Sequence, residues 1–145
     1  MKSSEFKFLF ITNKPDIAAF VISQGADRIF VDLEILGKVE RQGHLNTVIS
    51  RHSPADISLL RPLLPRGALL VRLNPVNINT EIEVDDAIQR GADVLMLPMF
   101  HSAEDVRRFC KAVNSRAKVS LLVATVAAME NLAECVEVSD VDEVH

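Results

Sequence analysis

The sequence predicts an α/β fold built on a parallel sheet. Short apolar runs alternate with amphipathic helical stretches along the whole 145 residues, and residues suited to starting and stopping helices punctuate them. Two units also share wording, QGADRIFVDLE and RGADVLMLPMF. Strict alternation of this kind marks βα units, because parallel strands need a crossover helix between them.

KFLFIT is the first apolar run, and PDIAAFVISQGA follows as a helix opened by Pro15 and closed by Gly25. RIFVDLEIL is the second strand. A longer connection, GKVERQGHLNTVISRHS, leads into SPADISLLRPLLPRG, where Ser53 suits an N-cap and Pro54 the first helical turn. ALLVRLNP is the third strand. NTEIEVDDAIQRGA reads as a helix capped by Thr80, with acidic residues at its positive end. VLMLPMF is the fourth strand, and SAEDVRRFCKAVNSRA a helix with the S-x-x-D capping pattern. KVSLLVAT, VAAMENLAECVEVSD and VDEVH then read as strand, one helix, and the start of a sixth strand. In both repeated units Gly ends a helix in a left-handed turn and Asp precedes a buried strand. Residues 1–145 read as a single domain.

Composition narrows the function classes. With 48% hydrophobic and 25% charged residues and a formal charge of -4, the chain is of ordinary globular make-up. No basic run is present to neutralise phosphates, and no Trp or Tyr to stack on bases, so no nucleic-acid partner is expected. No stretch reaches the ~18 apolar residues of a membrane span, and Lys7 and Asn13 interrupt the N-terminal apolar run too early for a signal peptide. Cys110 and Cys135 form no CxxC pair and read as reduced, buried thiols of a cytoplasmic protein.

IFVDLE poses the chief question, because a buried strand carries two carboxylates. Ile29, Val31 and Leu33 share one face, and Phe30, Asp32 and Glu34 the other. On the third strand Leu69, Val71 and Leu73 oppose Leu70, Arg72 and Asn74. One face of each strand is apolar throughout, while the other turns polar only towards its C-terminal end. Parallel α/β proteins place their sites at that end, in open sheets and closed barrels alike. Unpaired buried charges are costly, so the acids and the arginine are expected to pair or to meet a ligand. Against an open nucleotide-binding sheet, ITNKPD after the first strand has no glycine to cradle a phosphate. Periodicity alone leaves open sheet and barrel both available.

IFVDLE, VRLNP, GADVLMLPMF, SAEDVRRF and SLLVATVAAMENL followed by VDEVH stand in an order and spacing that resembles the HpcH/HpaI 2-oxo-acid aldolase and citrate lyase beta-subunit family, from Phe8 to His145. The resemblance implies a (β/α)8 TIM barrel of the phosphoenolpyruvate/pyruvate type, of which these residues supply about five and a half βα units as a truncated N-terminal part. It implies a homo-oligomer that makes or breaks carbon–carbon bonds next to a 2-oxo acid or acyl-CoA, with Mg²⁺ or Mn²⁺ stabilising an enolate. By the same resemblance Arg72 binds the substrate's carboxylate or enolate oxygen, and Asp32 and Glu34 line the same mouth, to orient Arg72 or to hold metal-bound water rather than to act as nucleophiles. Asn74 either donates to substrate or ties the loop.

Three departures accompany the resemblance. VAT places Ala124 where the family carries its metal glutamate, and a methyl group offers no oxygen to a hard cation. The second metal carboxylate belongs just past His145. Ile35 occupies the position of a proton-transferring histidine. The expected function is therefore a lyase, with carboxylate binding or assembly by a degraded barrel fragment as the alternative, and an open-sheet binding domain as a third reading. Simpler readings apply elsewhere. His44 reads as a solvated loop residue, with a proton shuttle as the alternative, and His52 and His101 read as preceding helix starts. Glu130 and the acids Glu81, Glu83, Asp85 and Asp86 lie on solvated helical faces, and Met96 and Met99 are packing residues.

Overall fold

The computed structural model describes residues 6–36 and 51–145; the connection 37–50, with His44, lies outside the described residues. Strands β1 (Leu9–Ile11), β2 (Arg28–Asp32), β3 (Leu69–Arg72), β4 (Val94–Leu97), β5 (Lys118–Leu121) and β6 (Glu143–Val144) form one sheet in chain order, every neighbouring pair parallel. Helices α1 (Pro15–Ser23), α2 (Pro54–Leu60), α3 (Thr80–Gln89), α4 (Ala103–Val113), α5 (Val126–Glu130) and α6 (Leu132–Val136) fill the connections, with a 3₁₀ turn at Arg61–Leu63. A doubly wound open sheet reverses its strand order at a switch point. Pairing in unbroken chain order has no such point and overturns the open-sheet reading.

The register shows that the sheet curls. Asp32 lies beside Arg72, Arg72 beside Met96, Met96 beside Ser120 and Ser120 beside Glu143. Across a flat sheet β2 and β6 would stand about 19 Å apart, further than two side chains reach. Yet Arg28 Nη2 donates to Glu143 Oε1 at 2.6 Å, and Arg28 Nη1 to Oε2 at 2.5 Å. Glu143 meets not Asp32, its counterpart by register, but Arg28, four residues earlier on β2, after four strand steps. One residue of stagger per step is the shear of an eight-stranded barrel. The chain thus forms six consecutive strands of a barrel wall.

Two apolar layers result. Inside the curl, Phe30, Leu70, Val94 and Met96 pack together, joined by Leu9 and Leu122. Outside it, Ile29, Val31, Leu69, Val71, Leu95 and Leu97 meet the buried faces of the helices. α4 illustrates the fit: Ala103, Val106, Phe109, Cys110 and Val113 are buried at helical spacing, and Ser102 caps it by accepting from the Asp105 N–H. Cys110 and Cys135 are free, buried thiols, and desolvation pushes Cys110 up to about 11.

Some boundaries differ from expectation. The second strand ends at Asp32, because the chain turns over the rim where Asn74 holds the Ile35 and Leu36 N–H groups. The last helix is two, α5 and α6, parted at Asn131, whose amide donates to the carbonyls of Ala127 and His101. Asn79, not Thr80, stands at the cap of α3; the Thr80 hydroxyl instead accepts from the Asn77 N–H.

The repeated GAD wording has a structural meaning. Asp27 ahead of β2 accepts from the Phe8 N–H at 2.8 Å, and Asp93 ahead of β4 from the Leu69 N–H at 3.0 Å. Asp142 ahead of β6 accepts from the Val119 N–H at 2.8 Å. Each even strand thus begins with a carboxylate that closes off the preceding odd strand. The glycines before two of them have φ of +100° and +105°. A Cβ at Gly25 meets nothing within 4 Å, but one at Gly91 falls 2.5 Å from Arg61 Cδ. Arg61 is itself held by the Gly91 carbonyl and by Asp93. Gly25→Ala should therefore cost about 1–2 kcal/mol and Gly91→Ala about 3 kcal/mol, as read from denaturant unfolding; equal costs would mean that Arg61 swings aside freely.

Candidate functional site

The C-terminal ends of β2 and β3 bring Asp32, Glu34 and Arg72 together. Asp32 and Arg72 are direct neighbours in the ladder, and both point into the curl. Arg72 Nε donates to Asp32 Oδ1 at 2.9 Å and Nη2 to Oδ2 at 2.8 Å, a two-pronged pair with the Asp32 side chain only 3% exposed. Glu34 Oε2 stands 3.3 Å from the same Nε, fully enclosed. Below them the guanidinium carbon lies 5.3 Å from the Phe30 ring centroid. The bonds and charges of these carboxylates, set against the desolvation that opposes them, hold the Arg72 pKa above its usual value. The arginine is fixed as a cation, its Nε and Nη2 edge given to Asp32. Its Nη1 edge makes no hydrogen bond to the described residues.

Supporting groups set this geometry. The Asp32 N–H donates to His52 Nδ1 at 2.9 Å, so a residue read as merely preceding a helix holds the end of β2. Its position just before Ser53 gave no sign of this, because the contact crosses between two elements. Asn74 Oδ1 accepts from the Ile35 and Leu36 N–H groups, and its Nδ2 donates to Glu83 Oε1 at 3.1 Å. Of its two expected roles, tying the loop is the one these bonds occupy. Glu83 thereby leaves the solvated acidic face on which the sequence placed it.

The remaining candidates lie apart. Ala124 is exposed just after β5, and the neighbouring Thr125 hydroxyl donates to the Phe100 carbonyl and caps α5. Ile35 and Glu130 are exposed. Among the described residues no three His, Cys, Asp or Glu side chains group closely enough to hold a metal ion. Asp32 and Glu34 are turned onto Arg72, and the β5 end offers a methyl group. These donors do not fit a hard divalent cation, which needs several converging oxygens. A cavity of about 430 Å³ between Asp93, Arg116, Lys118 and Asp142 is at the opposite, strand-start end, where such barrels carry stability rather than chemistry. No helix of the described residues is long and apolar enough to cross a membrane.

No protein-family model matches the chain, and no curated protein matches it in sequence. Solved structures do match. A citrate synthase, SbnG, is 12% identical with a TM-score of 0.69 over 95% of this chain and 59% of that one. A citrate lyase beta subunit from M. tuberculosis, complexed with oxaloacetate and magnesium, is 19% identical with a TM-score of 0.64, covering 94% and 55%. An HpcH/HpaI aldolase/citrate lyase family protein from Burkholderia cenocepacia J2315 is 14% identical with a TM-score of 0.68, covering 95% and 62%. At these identities the likeness is one of fold, that of lyase-type TIM barrels. The chain spans less than two thirds of each of these structures.

Proposed function

We propose that this chain is part of a carbon–carbon lyase of the aldolase and citrate lyase beta-subunit type, taking a small 2-oxo acid or related carboxylate at the strand-end mouth. One observation carries the reading: Arg72 is locked as a cation at the mouth, with one edge spent on Asp32 and its Nη1 edge uncommitted. A guanidinium so anchored binds carboxylate at little further cost in side-chain entropy. Asp32 and Glu34 act as positioning residues, and His52 and Asn74 hold the backbone that presents them. The lyase-type fold and the residue motifs at β2 and β3 support the assignment of reaction class. Among the described residues the donors at the mouth do not fit a metal ion.

Ala124 favours a second reading, carboxylate binding or assembly without turnover. Proton NMR of pyruvate and oxaloacetate in D₂O, with the protein and with or without Mg²⁺, separates the two. The lyase reading expects exchange of the C3 protons or bond cleavage, lost in Arg72→Ala. Binding without either reaction would support the second reading instead.

A further inference from the structure

Along a parallel strand successive N–H groups point to opposite neighbours. The Leu33 N–H donates to the Arg72 carbonyl on the β3 side, and the Arg28 N–H to the Phe8 carbonyl on the β1 side. Asp32, four residues past Arg28, therefore turns its N–H towards β1. That strand has ended by then, its last pair being Ile11 with Phe30. His52 Nδ1 stands where a further strand carbonyl would, accepting from the Asp32 N–H at 2.9 Å.

This acceptor, unlike a carbonyl, titrates. Nδ1 accepts only in the neutral ring whose proton is on Nε2, and imidazoles ordinarily charge at about pH 6.5. A charged ring would set its own N–H against that of Asp32, leaving a buried donor without this bond. Asp32 is also the hub of the mouth, since its Oδ1 accepts from the Glu34 N–H and from Arg72 Nε. Among the described residues, the charged groups around His52 on β2 and β3 are Asp32, Glu34 and Arg72, paired with one another. On α3 they are Glu83 and Asp86, which line one cavity with His52, and on its own side Arg51 and Asp56. Glu83 is held by Asn74 and Asn77, Asp86 by Arg90, and Asp56 by the Ser53 N–H and Asn13.

We propose that His52 is a pH-sensitive catch on the mouth: neutral, it holds the end of β2 and sets Asp32 and Arg72; protonated, it releases them. The catch stands on this geometry, and only its consequence for ligands rests on Arg72 as the carboxylate-binding group. The bond belongs to the neutral ring, so it is present above about pH 6.5 and lost as pH falls through that range.

The test is NMR of the ligand-free full chain at about pH 7.5 and about pH 5.5, either side of the ordinary imidazole value. At the higher pH the His52 nitrogen signals should show Nδ1 bare and Nε2 protonated. At the lower, exchange of the Asp32 amide, corrected for its intrinsic pH dependence, should speed up about tenfold. Exchange of the Arg72 Nε–H should rise with it. His52→Asn, whose carbonyl accepts at either pH, should show neither rise. A proton on Nδ1 at the higher pH, or unchanged protection of Asp32 or of Arg72 Nε, would overturn the inference. So would an equal rise in His52→Asn; should that variant not fold, the readings on the natural chain decide. No ligand enters these readings, so a failure of Arg72 to bind carboxylate is a separate outcome.

Discussion

Arg72→Ala is expected to lower the free energy of unfolding by about 3–5 kcal/mol and to abolish carboxylate binding. The large stability cost follows from what is left behind. Asp32 and Glu34 have side chains 3% and 0% exposed, and Arg72 forms an ion pair with both. Removing the guanidinium takes the cationic partner from two buried carboxylates, whereas water re-solvates an exposed partner cheaply. Stability and binding can be separated. The double change Asp32→Leu with Arg72→Met replaces the pair by apolar groups and should recover part of the lost stability, since such replacements are often neutral. It should recover no binding. Urea unfolding of the single and double variants provides the check. A loss below about 1 kcal/mol in Arg72→Ala would show the pair to be effectively solvated.

The second large effect concerns the floor of the curl. Glu143→Ala should destabilise the chain by about 1–3 kcal/mol, discounted for the partial exposure of the glutamate. Arg28, 8% exposed at its side chain, would keep only the Gly67 carbonyl among its direct hydrogen-bond partners. Lys118 stands 3.9 Å from the same carboxylate and would lose it as well. The pair also predicts a pH dependence. The hydrogen bonds from Arg28 hold the Glu143 carboxyl below its ordinary value of about 4.5. A depressed carboxylate binds its proton less readily folded than unfolded. Its contribution is thus present above about pH 5 and lost as pH falls through 4.5 and below. Glu143→Gln should flatten that part of the stability profile. An unchanged acid limb would mean that other carboxylates govern it.

Much of this was legible in the sequence. The alternation of apolar runs and capped helices gave the parallel α/β class, and period-2 reading of IFVDLE and LLVRLN placed Asp32, Glu34 and Arg72 on one inward face. That reading worked because each strand is apolar on its outer side, leaving no ambiguity of register. Which partners the charges choose was less legible. The bond from the Asp32 N–H to His52 and the clasp between Arg28 and Glu143 join residues 20 and 115 positions apart. No local pattern marks such contacts; they arise from the curl and stagger of the sheet. Helix continuity failed at Asn131 for a related reason, since its amide turns to the His101 carbonyl on a neighbouring loop.

The resemblance read from the motifs agrees with the solved structures in fold, while the metal ligands it implied have no counterpart among the described residues. The most direct test of the central claim, that Arg72 is a preset carboxylate receptor, is titration of the chain with oxaloacetate followed by NMR of the arginine side-chain N–H signals. A preset receptor predicts a saturable shift of the Arg72 Nη1 resonance, with Nε little changed because Asp32 keeps it, and no binding in Arg72→Ala. Binding of oxaloacetate that leaves the Arg72 signals unmoved, or that persists in Arg72→Ala, would contradict it.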